Sequence, residues 1–204
     1  MNPLRNIQAL GITPQPMPQS TPQIASPAPA LDFTPPPQPA RYAVPSQYAG
    51  AVQQAATHTG LPVDTVVRHL TAENGGNWDP NLRGRKDPTD FGVSQLNPIG
   101  VAAVTGTGYK GARNYFQDNY GRPFNPTSGT DQILASGVYL NRLRQFDLPQ
   151  AGIKNPSNKD VLLSYNLGAQ NYAQSLKPNA DPAIVARRKG YEALLKSHGI
   201  DLNK

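Results

Sequence analysis

LPVDTVVRHLTAENGGNWDPNL, residues 61–82, is the stretch on which the reading of the whole chain turns. Val63, Val66, Val67 and Leu70 recur at the i, i+3, i+4, i+7 spacing of one helix face. Gly75 and Gly76 break that pattern, and Asn77, Asp79 and Pro80 continue as turn. Glu73 lies three residues beyond Leu70 and seven beyond Val66, so at about 100° per residue it falls on the apolar side of its own helix. A solvated charge belongs on the opposite side. A carboxyl on the oily face loses the hydration that favours its charged form, so its pKa rises. An acid still protonated near neutral pH can donate a proton to a leaving oxygen, as cleavage of a glycosidic bond requires. The competing reading is a helix-end glutamate paired with Arg83, Arg85 or a backbone amide.

Outward from this stretch the apolar periodicity stays helical. SQYAGAVQQAATHT precedes it, with Ser46 as its expected cap and Gly60 as its stop. Downstream, Thr130 or Asp131 is the expected cap of DQILASGVYLNRLRQF, and Asn158 that of KDVLLSYNLGAQNYAQSL. DPAIVARRKGYEALLKSH is expected to start at Asp181 with Pro182 in its first turn and to end before Gly199. The interval from Asn74 to about Gly129 reads as long and irregular, with only FGVSQLNP and VAAVTG inclined to order. No alternating strand pattern and no internal repeat emerges, so the expected fold class is mainly α.

The first 45 residues differ in kind. They hold 12 of the 22 prolines and only three charges, Arg5, Asp32 and Arg41. Such a segment buries too little apolar area to offset its ordering entropy, and it is expected to be an extended tail or anchor ahead of one domain over residues 46–204. Extended Pro-rich chain suits docking in partner grooves. A net charge of +6 suits an anionic polymer. No basic block interleaved with aromatics points to specific nucleic-acid binding. Cysteine is absent, which excludes thiolate zinc sites and thiol nucleophiles. No HExxH and no phosphate-loop pattern occurs, so no metal or cofactor is expected. The N-terminus has no apolar run of signal-peptide length, and nothing reaches transmembrane length.

Four clusters then fall in a telling order: Glu73-Asn74 followed by Asp79-Pro80; Phe91-Gly92-Val93-Ser94-Gln95-Leu96; Gly137-Val138-Tyr139-Leu140; and Ser164-Tyr165-Asn166-Leu167-Gly168. Across residues 48–175 this set resembles the lytic transglycosylase and goose-type lysozyme superfamily, which shows Glu-Ser-x-Phe-x-Pro, Gly-Leu-Met-Gln, Gly-x-x-Tyr-Leu and Ala-Tyr-Asn-Ala-Gly in that order. Asn74 stands where that family has Ser, the interval to Pro80 is longer, Val93 and Ser94 replace Leu and Met, Asp90 takes a position commonly small, and Leu167 replaces Ala. The resemblance implies a lysozyme-like helical domain in which Glu73 is the catalytic acid and then base. It implies that Gly92 and Gln95 belong to a groove wall, with the Gln95 amide offered to sugar hydroxyls or N-acetyl groups. It places the hydroxyl of Tyr165 near the catalytic carboxyl, with Asn166 shaping the site. Tyr139 is expected only to pack helices.

By the same resemblance the substrate is the peptidoglycan glycan strand. The bond between N-acetylmuramic acid and N-acetylglucosamine would be cut with closure of a 1,6-anhydro ring rather than attack by water. Asp87 and Asp90 are candidate second carboxylates, which would make the reaction a hydrolysis. Both lie in RKDPTDFG, a turn-like sequence in which Asp commonly bonds its own backbone. The missing export signal and the Pro-rich segment lead to the expectation of a phage virion or tail component, made in a host cytoplasm and acting on the cell wall. Residues 1–45 would then contact phage structural proteins. A structural or wall-binding module without turnover is the remaining class.

Overall fold

The computed structural model describes residues 42–84, 88–107 and 113–203. Most of the expected Pro-rich tail, together with Arg85 and Asp87, lies outside the described residues.

The described chain is mainly α-helical, with only isolated bridges joining Phe91 to Arg83 and to Leu96. A 3-10 turn at Ser46–Tyr48 leads into α1 (Ala49–Thr59), which left-handed Gly60 terminates as its sequence suggests. Ser46 makes no capping bond, because Pro45 occupies the cap position of that turn. Next comes α2 (Val63–Asn74), stopped by left-handed Gly75. The stretch expected to be irregular contains two further helices, α3 (Pro98–Thr105) and α4 (Tyr115–Tyr120). Each starts on an asparagine, Asn97 or Asn114, whose side chain accepts a backbone N–H of the first turn.

Helix α5 (Gly129–Arg142) is capped by Ser128 rather than by Thr130 or Asp131. Asp131 turns instead to Arg122, which grips it with two bonds of 2.6 Å. The helix runs on through a π-helical turn, Leu143–Asp147, into the short α6 (Leu148–Gln150). α7 (Asn158–Leu167) begins one residue earlier than expected, because Ser157 and Asp160 form a reciprocal capping box. The single helix expected over KDVLLSYNLGAQNYAQSL breaks at Gly168 (φ 77°, ψ 151°), and α8 (Ala169–Ser175) follows at a new angle. α9 (Pro182–Ser197) has Asp181 as its cap and Gly199 beyond its end, both as expected.

The core forms around α5, which buries Ile133, Leu134, Ala135, Val138 and Leu140. α1 crosses it so closely that a Cβ at Gly137 would stand 2.9 Å from the Cα of Ala55. Leu70 of α2, Leu163 of α7 and Leu195 of α9 close the core on its other sides. The folded body starts before residue 46. Tyr42 is 1% exposed, its hydroxyl donates to the carbonyl of His198 at 3.0 Å, and the Arg68 guanidinium lies 4.6 Å over its ring. No helix among the described residues is long and apolar enough to cross a membrane.

Candidate functional site

Glu73 occupies the last turn of α2, where the helix leaves the core and the chain turns at Gly75. It opens into a groove of ≈ 1310 Å³ walled by the end of α2, by Arg83, Gly84, Asp90 and Gln95 of the loop, by Tyr139 of α5, Tyr165 and Asn166 of α7, and by Arg187, Tyr191 and Leu194 of α9. Burial pushes its carboxyl up to about 7. A hydrogen bond from the Tyr191 hydroxyl to Oε1 works against that rise, and the charge of Asp90 adds to it. The carboxyl therefore stands near equal protonation and ionisation at neutral pH, at the rim of a cleft.

The loop facing Glu73 is held by polar side chains reaching out from helices. Asn74 donates to the carbonyl of Val93 at 3.0 Å and accepts from the Gly76 N–H at 2.7 Å, which ties the turn after the acid to the opposite wall. Gln132, buried on α5, accepts from the Val93 N–H at 2.8 Å and donates to the carbonyls of Pro80 and Pro126 at 2.9 and 2.7 Å. Gly92 makes room for it. At φ 71° it adopts a left-handed backbone, and a Cβ there would collide with the Gln132 carboxamide.

The other expected site residues divide into those that face the groove and those that support it. Gly92 is buried behind the wall rather than exposed on it. Gln95 does line the groove, in a left-handed conformation (φ 50°) rare for a side-chain-bearing residue. One of its amide hydrogens is already given to the Gly92 carbonyl at 2.7 Å. The Tyr165 hydroxyl donates to the carbonyl of Ser94 at 2.8 Å, not to the carboxyl, although Glu73 is close enough for its charge to raise the Tyr165 pKa further above what burial does. Asn166 lies in the groove wall and accepts from Arg187 through both its side-chain oxygen (3.1 Å) and its carbonyl (2.6 Å). Asp90 lines the groove and acts electrostatically on Glu73, whereas Asp87 lies outside the described residues. Tyr139 packs helices as expected, its ring 5.5 Å from that of Tyr165, and also faces the groove.

Two residues central to this arrangement escape a reading of the sequence. Tyr191, 118 residues away along the chain, clamps the acid, and Gln132 builds the opposite wall. Their sequence signals are faint: a hydroxyl-bearing aromatic and a carboxamide, each on the apolar stripe of its helix, where a polar atom needs a partner. A smaller cavity of ≈ 250 Å³ shares Tyr139, Gly168 and Asn171 with the groove but does not reach Glu73. Among the described residues no group of three His, Asp or Glu side chains is placed to hold a metal ion.

Compared with models of known protein families and with curated proteins, this chain finds no match in either set.

Proposed function

We propose that this chain is a lytic transglycosylase of lysozyme-like fold that cleaves the glycan strand of peptidoglycan, with Glu73 as the acid and then the base. The observation that carries this reading is a carboxyl raised to about 7 by burial, at the edge of a groove of ≈ 1310 Å³ and gripped on one oxygen by a phenol. Tyr191 occupies Oε1, so the acidic proton resides on Oε2. That proton passes to the oxygen bridging N-acetylmuramic acid and N-acetylglucosamine as the bond from C1 to that oxygen breaks. Positive charge develops on the muramoyl ring, and the substrate's own acetamido oxygen can share it. The Glu73 carboxylate, now accepting the Tyr191 hydrogen bond as an anion, takes the proton from the muramoyl 6-hydroxyl. The 6-oxygen bonds to C1 and closes the anhydro ring. Glu73 ends protonated and no water is consumed.

One observation favours a second reading. Asp90 lines the same groove near enough to perturb Glu73, as a second carboxylate holding a water would. The products decide between the two: ends lighter by one water indicate ring closure, and reducing muramic acid indicates hydrolysis. Glu73→Gln tests the enzymatic reading itself. Clearing of purified peptidoglycan should fall by about 10²–10⁴-fold while the polymer is still bound. Unchanged clearing would return the chain to a wall-binding module without turnover.

The biological setting in this proposal is a phage virion or tail component acting on the cell wall during genome entry, with the Pro-rich residues 1–45 as its anchor to phage structural proteins. Because Tyr42 belongs to the folded body, the deletion that tests anchoring is residues 2–36. Loss of incorporation into particles with wall cleavage retained is the expected result, and normal incorporation refutes the anchor.

A further inference from the structure

A second titratable group sits one helical turn before the acid. His69 is fully enclosed and, four residues before Glu73, shares its face of α2. Its ring meets that of Tyr165 edge-on, centroids 4.6 Å apart and planes at 89°, so its orientation is fixed. Nδ1 lies 3.5 Å from the hydroxyl oxygen of Tyr191, the group that grips Glu73. Nε2 meets no hydrogen-bond partner among the described residues. Packing alone does not account for this choice of residue, since a leucine or phenylalanine fills such a space without burying unpaired nitrogen.

Counting protons sets the direction of the chain. Tyr191 has a single hydroxyl hydrogen, and Oε1 of Glu73 accepts it. The Tyr191 oxygen can then only accept from His69, which puts the imidazole proton on Nδ1 and leaves Nε2 as a bare lone pair. Burial keeps the ring neutral by lowering its pKa to about 4, so His69 carries no charge across the range in which Glu73 titrates.

We infer that His69 is a positioning residue for the reaction: its Nδ1–H donates to Tyr191, aims and polarises that phenol, and through it stabilises the carboxylate form of Glu73. This rests on Glu73 being the acid and base. The groups facing Glu73 from each neighbouring element are then assigned. Tyr191 on α9, backed by His69 on α2, favours the anion. Asp90, from the loop, opposes it. Tyr165 on α7 stands in its field with its own hydrogen spent on Ser94.

The test is a direct titration of the Glu73 carboxyl by carbon-13 NMR, which needs no turnover, beside the pH profile of peptidoglycan cleavage. His69→Phe should raise the Glu73 pKa by about 0.5–1 unit and carry the alkaline limb of the profile up with it. His69→Asn, whose amide can supply the same donor, should cancel most of that rise. Added to Tyr191→Phe, the His69→Phe change should cause no further shift. A lowered melting temperature with the Glu73 pKa unmoved, or an equal shift in the Tyr191→Phe background, overturns the inference and leaves His69 a packing residue. Nitrogen-15 shifts of His69 in the unaltered protein decide the matter even where a variant fails to fold: a proton on Nδ1 supports the chain, and a proton on Nε2 breaks it. Coupling without any cleavage of peptidoglycan would refute the proposed function while the inferred chain of donors stands.

Discussion

The helical half of this protein and the loop that faces it are held by a different balance of forces, and Glu73 stands on the seam. In α1, α2, α5 and α7 the positions are set by apolar contact: Ala55, Leu70, Ile133 and Leu163 are buried against one another's helices. Over residues 75–84 and 90–97 the apolar anchors are few, Trp78, Val93 and Leu96, and single polar atoms add the rest of the order. Gln132, Asn74 and Tyr165 reach across to the backbone of Pro80, Val93 and Ser94. Apolar burial is non-directional and forgiving of shape, whereas a hydrogen bond fails once its partner shifts by a fraction of an ångström or turns away. The Glu73 carboxyl at this seam takes its dryness from the first region and the shape of its surroundings from the second.

The contrast is open to attack at several strengths. The largest loss is expected from Leu140→Ala, which opens a void in the helical half and should cost about 2–5 kcal/mol in urea unfolding. The specific activity of the protein that remains folded should be unchanged. Gln132→Leu strikes the loop instead. It removes the acceptor of the Val93 N–H and the donor to two carbonyls, at about 1–3 kcal/mol. Hydrogen exchange at Val93 should accelerate, and wall cleavage should fall more than the stability loss explains. If both variants lose stability and neither loses activity, the two regions do not differ in the way described.

The seam itself answers to pH. Glu73, raised from 4.5 to about 7, binds its proton more tightly folded than unfolded, so stability declines as pH climbs through that interval. His69, lowered from 6.5 to about 4, acts in the opposite sense and removes stability as pH falls between those values. Glu73→Gln should therefore be more stable than the parent at pH 8, by about 1–3 kcal/mol, and close to it near pH 4.5. Parallel stability curves across that range would mean that the carboxyl is well hydrated. The smallest effect belongs to Ser128→Ala, which removes the cap of α5 at about 1 kcal/mol with cleavage untouched.

What is legible in the sequence follows the same division. α2 and α9 announce themselves because periodicity and terminating glycines agree over a dozen residues or more, with the Asp181 cap added in α9. The placement of Glu73 on a dry face comes from that periodicity alone. α3 shows in the sequence only as the ordered VAAVTG, and α4 is obscured because it is short and surrounded by Gly, Asn and Pro, so only its asparagine cap hints at it. Gly168 looks like a tolerated interior glycine, since the residues on both sides of it form helix readily, and the break there is hidden. Tyr191 and Gln132 cannot be paired with their partners, because no local rule links positions 118 or 39 residues apart. Helix packing makes those pairings.

Tyr42 adds a mechanical consequence. Its hydroxyl and the Arg68 guanidinium both end on the carbonyl of His198, at the foot of α9, and Arg68 projects from α2. Traction applied at Tyr42 would reach α2 and α9 through these contacts as well as α1 through the backbone. α2 and α9 are the pair that brings the phenol of Tyr191 to the carboxyl of Glu73, so the grip on that carboxyl hangs from the same rivet that holds Tyr42.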